Sequence, residues 1–314
     1  PHCYAVVSRD QTEEVIQVLK QEANLVECPL FVAPKAEEIL VLHSDDGDDD
    51  SSHSKDNLAS FSKAYLTDRI PFRLSNLELS LTAVHLWIQH RNGMLSDSIG
   101  IQPCPSLVFN QKIVKAALHT HWPGRCEKVY RKNATYFIDG AHTDDSVQII
   151  ADWFQSVKSE PGTGPLFRIL IFTVIGSRDP KPMLYGLHET VQPGFDLALF
   201  INPHPQRSVY PSSKNSQHED CLIYWKSLGS TAATTGSVND LSQLITLIDQ
   251  WPRLTRAKLM QFIRTRTKHV NNSDILEAHD EQTEHEGSVG QCHILITGSL
   301  YLVGAALKAL DIPA

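Results

Sequence analysis

The feature that most constrains this chain is a set of apolar runs in its second half. Each is short and nearly uninterrupted, and helix-like stretches alternate with them. Ala134–Asp139, Arg168–Ile175, Asp196–Ile201 and His293–Thr297 are rich in Ile, Leu, Phe and Val, without strict alternation of apolar and polar residues. Strands of this kind are covered on both faces, as in a parallel sheet flanked by helices. After the first run, Thr143 stands at an N-cap position with Asp144 and Asp145 in the first turn, where the helix dipole favours acids. Val147, Ile150, Phe154 and Val157 follow at helical spacing, and residues 240–250 and 300–310 read as further helices. The pattern predicts an α/β fold with a mainly parallel sheet and helices on both faces.

The first 34 residues read strand, helix, strand. Tyr4–Val7 and Pro29–Ala33 are the strands, and Asp10 with Glu13 has capping-box spacing ahead of Val15, Val18, Leu19 and Leu25. Two strands and a helix bury too little apolar area to stand alone, so the segment reads as the tail of a larger domain. Ser75 or Asn76 is expected to cap a helix reaching about His90, with Leu77, Leu81, Val84 and Ile88 inward. Residues 43–60 form an acidic, Ser-rich loop without EF-hand spacing. Residues 203–219 and 266–290 read as polar surface insertions, and Arg253–Lys268 as a solvated basic face.

Lys plus Arg number 28 and Asp plus Glu 36, giving a net charge of −8. That balance argues against a nucleic-acid binder working through a broad basic surface. No apolar run approaches the length of a membrane span. Six scattered cysteines without a C-x-x-C argue against a disulfide scaffold or a cysteine zinc site, and favour a reducing, intracellular home. The chain starts at Pro1 without signal-peptide features, and reads as a fragment or processed product of something longer.

In open α/β sheets, ligands bind beyond the carboxyl ends of the strands. The sequence puts Asp139 and His142 at the first such end, Gly176, Arg178 and Asp179 at the second, Asn202 at the third and Ser299 at the last. Arg125 lies on a Pro-Gly turn just before the first strand. Asp139 is either an acceptor for ribose hydroxyls or a plain turn residue. His142 can orient a phosphate or carboxylate, or simply enter a helix. Arg125 offers a planar fork that matches phosphate oxygens. Ser299, after Thr297-Gly298, opens a helix whose first amides suit an anion. The chain contains neither G-x-x-x-x-G-K-[ST] nor a G-x-G-x-x-G after a strand.

His121-Trp-Pro-Gly-Arg, Tyr136-Phe-Ile-Asp-Gly-Ala-His-Thr, Gly176-Ser-Arg-Asp-Pro and Ile296-Thr-Gly-Ser-Leu together resemble the folylpolyglutamate synthases of the Mur-ligase superfamily, in their eukaryotic form. The resemblance implies that residues 1–120 are the end of a P-loop ATPase domain, 121–126 a hinge, and 127–314 a Rossmann-like C-terminal domain. It implies ATP-dependent addition of L-glutamate to the γ-carboxylate of a reduced folate through an acyl phosphate. Arg125 and Asp139 then correspond to nucleotide-binding residues, His142 to a catalytic one, and His142 with Ser299 to glutamate-binding ones. Mg²⁺ is implied, with its ligands and the P-loop lying N-terminal to residue 1, so this chain alone should not ligate. Phe72-Arg73 departs from the family's usual His-Gln pair ahead of the position of Asn76. A cytoplasmic or mitochondrial address fits such an enzyme. Two other readings remain: a dihydrofolate synthase-type ligase, and a non-catalytic nucleotide-binding module.

Overall fold

A computed structural model describes residues 3–42, 55–63, 71–95, 100–104, 106–157, 166–202, 217–229, 232–250, 261 and 291–312. The chain divides into two compact units, Pro1–Thr120 and His121–Ala314.

The first unit holds two three-stranded sheets. In one, β1 (Ala5–Val7), β2 (Leu30–Val32) and β5 (Ile101–Pro103) are parallel, with α1 (Glu13–Leu25) joining the first two. In the other, β3 (Leu40–Leu42) pairs antiparallel with β4 (Lys55–Asn57) and parallel with β6 (Val108–Asn110). The helices α2 (Leu58–Lys63), α3 (Pro71–Arg91) and α4 (Gln111–Leu118) complete it. Ile39, Val41, Leu58, Leu81, Leu107 and Val114 are buried at its centre. Glu78 is buried as well and accepts the Ala36 amide at 2.8 Å, and burial pushes its carboxyl above the usual range.

Several local expectations are corrected here. The cap of α1 is Thr12, whose hydroxyl accepts from Val15, whereas Asp10 pairs with Lys35. Helix α3 starts at Pro71, because proline's fixed φ and missing N–H suit a first helical position. Ser75 and Asn76 are therefore inside it. Leu77 and Leu81 face inward, but Val84 and Ile88 are exposed, as are Val15, Val18 and Leu25 of α1. The C-terminal part of the acidic loop forms β4 and the start of α2, while residues 43–54 of that loop lie outside the described residues.

The second unit is built on a six-stranded sheet in the order β11-β10-β9-β12-β8-β7. Its strands are β7 (Glu127–Tyr130), β8 (Ala134–Ile138), β9 (Leu166–Phe172), β10 (Leu197–Asn202), β11 (Ala232–Ser237) and β12 (Gln291–Thr297). All neighbours run parallel except β7 with β8. The helices are α5 (Asp144–Ser156), α6 (Lys181–Thr190), α7 (Gln217–Ser227), α8 (Val238–Gln250) and α9 (Leu300–Ala309).

Strand order dictates where these helices lie. The steps β8 to β9, β9 to β10 and β10 to β11 all move toward one edge. Right-handed crossovers therefore put α5, α6 and α7 on one face, and the return from β11 to β12 puts α8 on the other. The packing agrees. Tyr136, Ile169, Leu199 and Ile294 meet Leu241, Leu244, Leu302 and Ala306 of α8 and α9 on one side. On the other side Phe137 packs on Trp153 and Phe154 of α5, and Phe200 on Trp225 of α7. The predicted α/β architecture is thus present, with helices on both faces of a mainly parallel sheet.

Of the expected polar insertions, residues 217–219 belong to α7. Residues 203–216 and 266–290 lie outside the described residues, as does all of the basic segment 253–268 except Gln261. Among the described residues no helix is long and apolar enough to cross a membrane.

Candidate functional site

β8 and β12 are neighbours in the sheet, yet the helices that leave them, α5 and α9, lie on opposite faces. A crevice opens at such a switch, beyond the carboxyl ends of the strands. The loops there carry Asp139, Gly140 and His142 after β8, and Gly298 and Ser299 after β12.

The turn that carries Arg125 comes first in the chain. Arg125 N donates to Trp122 O at 3.1 Å, closing a β-turn with Pro123 and Gly124 at its centre. Gly124 has φ +73°, and a Cβ there would lie 2.1 Å from Val303 of α9, so the turn is seated against that helix. Two buried carboxylates pin it. Glu127 accepts Gly124 N at 2.5 Å and faces His121 Nε2 at 3.3 Å. Asp139 accepts Cys126 N at 2.8 Å, next to a Cys126 held at φ +46°. Arg125 itself is exposed, and its guanidinium has no ion-paired or hydrogen-bonded partner among the described residues.

Asp139 is 3% exposed. Its second oxygen accepts Ala141 N at 2.7 Å, so both oxygens are engaged by backbone amides. Hydrogen bonds to a charged acceptor are the stronger kind, about 1.5–3 kcal/mol each. The geometry therefore gives Asp139 a definite task, tying the Arg125 turn to the end of β8.

His142 is half-buried, with Nδ1 at 2.9 Å from Gly140 O. A carbonyl only accepts, so Nδ1 carries the proton and a neutral ring presents Nε2 as an acceptor. Thr143 caps α5 in a reciprocal bond with Ser146, and Asp144 and Asp145 occupy the first turn. That helix end already has its negative charge. The start of α9 does not: Ser299 caps it by accepting Tyr301 N at 3.2 Å, and no acid follows in the first turn. Beside it Thr297 Oγ1 is buried without a hydrogen-bond partner among the described residues.

The structure thus gathers the Arg125 turn, Asp139, His142 and Ser299 around the ends of β8 and β12. Gly140 abuts Leu300, the first residue of α9. Asn202 belongs to β10, separated from β12 by β9. Arg178 and Asp179 are exposed, and Asp179 accepts Lys181 N at the start of α6. Glu127 and Cys126 are neighbours of the candidate site that sequence reasoning does not find. The only signal for Glu127 is an acid shortly after a Pro-Gly turn, at the start of a short strand. Among the described residues no group of three or more His, Cys, Asp or Glu side chains is arranged to hold a metal ion.

No family model matches the chain. Compared with curated proteins, it is 24% identical over 350 aligned positions to the mitochondrial folylpolyglutamate synthase of Bos taurus, covering 96% of this chain and 56% of that protein. The mitochondrial folylpolyglutamate synthase of Homo sapiens gives 24% over 364 positions, with 96% and 55% covered. The chain resembles folylpolyglutamate synthase. A shorter match, 30% over 205 positions, joins 60% of the chain to 33% of the Neurospora crassa folylpolyglutamate synthase. Among solved structures, Mycobacterium tuberculosis folylpolyglutamate synthase complexed with ADP superposes with a TM-score of 0.55 at 17% identity, covering all of this chain and 56% of that one. At that identity the likeness speaks to the fold. The chain spans about half the length of the curated relatives it matches.

Proposed function

We propose that these residues supply the C-terminal half of the active site of an ATP-dependent ligase that adds L-glutamate to the γ-carboxylate of a reduced folate. The observation that carries the reading is the similarity to folylpolyglutamate synthases along 96% of the chain. The convergence of the Arg125 turn, Asp139, His142 and Ser299 on one switch point supports it. On this reading residues 1–120 are the end of the ATPase domain, 121–126 a hinge and 127–314 the C-terminal domain.

The residues present fit a nucleotide phosphate or carboxylate. Arg125 offers an uncommitted guanidinium, and the first turn of α9 is free of acids. ATP supplies the phosphoryl group that converts the folate carboxylate into an acyl phosphate, with ADP leaving, and the amine of glutamate then displaces inorganic phosphate to form the amide. Arg125 holds phosphate oxygens and offsets the charge that grows during transfer. Asp139 keeps the Arg125 turn in register. His142 Nε2 accepts a proton from the attacking amine of glutamate, and Ser299 with the α9 amides orients its carboxylate. Mg²⁺ is proposed to be held by residues outside this chain. The proposed address is cytoplasmic or mitochondrial; the bovine and human relatives are named as mitochondrial.

The test compares two proteins in an assay of labelled glutamate incorporation into a reduced folate, with ATP and Mg²⁺. One is the 314-residue chain, the other the same chain preceded by the coding sequence upstream of Pro1. Incorporation by the longer protein alone is the expected result. Turnover by the shorter one overturns the half-site reading. Silence of both on every folate overturns the reaction itself and favours a nucleotide-binding module.

A further inference from the structure

Cys3 and Cys28 face each other across β1 and β2, with their sulfurs 4.0 Å apart. Their register explains this. Ala5 is opposite Leu30 in the parallel pair, and each cysteine lies two residues upstream of its strand partner. A step of two residues keeps both side chains on the same face. Neighbouring strands are about 4.8 Å apart, inside the roughly 4.4–6.8 Å between Cα atoms that a disulfide spans.

Cys28 is fixed by the end of α1. Its amide donates to Ala23 O at 2.8 Å while Glu27 N donates to Asn24 O at 3.3 Å, with Glu27 at φ +53°. These are the two bonds of a Schellman motif. The Cys28 thiol is buried and points at Cys3 O, 3.3 Å away, whereas Cys3 is exposed. One accessible thiol thus stands over one sheltered partner, and all six cysteines are free thiols.

We propose that Cys3 and Cys28 form a reversible, redox-sensitive disulfide that staples β1 to β2 across α1. The oxidant is a small-molecule disulfide. The Cys3 thiolate attacks one of its sulfurs, breaking that S–S bond, forming a mixed disulfide and releasing one thiolate. The Cys28 thiolate then attacks the Cys3 sulfur and expels the second thiolate. Two protein thiols lose two electrons and two protons in all, and the reagent becomes two thiols. Burial and the neighbouring Cys3 push the Cys28 thiol up, which makes the second step the slower one.

The test equilibrates the 314-residue chain with oxidised and reduced glutathione, alkylates the remaining thiols and digests with trypsin without reduction. The expected product joins the peptide of residues 1–9 to that of residues 21–35. Dithiothreitol should restore both thiols. The same bridge should be at least about tenfold enriched over bridges to the other four cysteines in native buffer, and lose that enrichment in urea. Cys3→Ser and Cys28→Ala should each abolish it. A Cys3–glutathione adduct that never closes, a Cys3-linked dimer, a bridge to another cysteine, or equal enrichment in urea overturns the proposal.

Discussion

Replacing Gly298 with Ala tests how the end of β12 is held. Gly298 has φ +101°, and a Cβ there would lie 2.0 Å from Thr173 O and 2.8 Å from the Phe172 ring. The first of these is backbone, so no rotamer change relieves it. The unfavourable φ costs about 1–2 kcal/mol, and forcing the overlap apart costs about 1–3 kcal/mol more. Gly176 supplies an internal control. It has φ +85° with nothing within 4 Å of a Cβ, so Gly176→Ala carries the backbone cost alone. Urea unfolding followed by near-ultraviolet circular dichroism reads the aromatic packing around Phe137, Trp153 and Phe154 in the same unit. Gly298→Ala should lower stability by about 1–3 kcal/mol more than Gly176→Ala. Equal midpoints for the two variants would refute the steric argument.

Three further outcomes are expected. His293 is buried, and burial with Arg168 and Lys128 nearby depresses its pKa to about 4 from 6.5. The unfolded chain binds the proton more readily, so this stability is complete above pH 6.5 and is lost as pH falls toward 4, by about 3 kcal/mol. His293→Leu should flatten that part of the stability–pH curve in acid titrations. Asp139→Ala leaves the amides of Cys126 and Ala141 without their acceptor and should cost about 2–6 kcal/mol by urea unfolding, since each unpaired group costs about 1–3. Thr143→Ala removes the α5 cap and should cost about 1 kcal/mol in the same assay.

The central strands are legible in the sequence because β8, β9, β10 and β12 are covered on both faces, and such strands read as apolar runs. β11 escapes such a reading because Ala232–Ser237 is made of Ala, Thr, Gly and Ser, with too little apolar character to stand out. β7 is equally hidden, as a four-residue edge strand that mixes Glu and Lys with Val and Tyr. The cap of Thr143 is readable from local spacing. At α1 the same spacing points to Asp10 instead of Thr12, because nothing local shows that Asp10 is committed to Lys35, a partner distant in sequence. The position of Asp139 at a strand end is legible too. Its task is not, because the Cys126 amide reaches it only through the antiparallel pairing of β7 with β8.

The proposed function gives Arg125, at the β8–β12 switch point, the role of holding the reacting phosphate. The most direct measurement is labelled glutamate incorporation into a reduced folate by the upstream-extended protein, comparing Arg125→Ala with Lys132→Ala. Lys132 is exposed in the turn before β8, at the opposite end of that strand. Arg125→Ala should lose about 100-fold or more, the scale seen when one stabilising donor is removed, with near-unchanged turnover for Lys132→Ala. Equal activity of the two variants would contradict that role for Arg125.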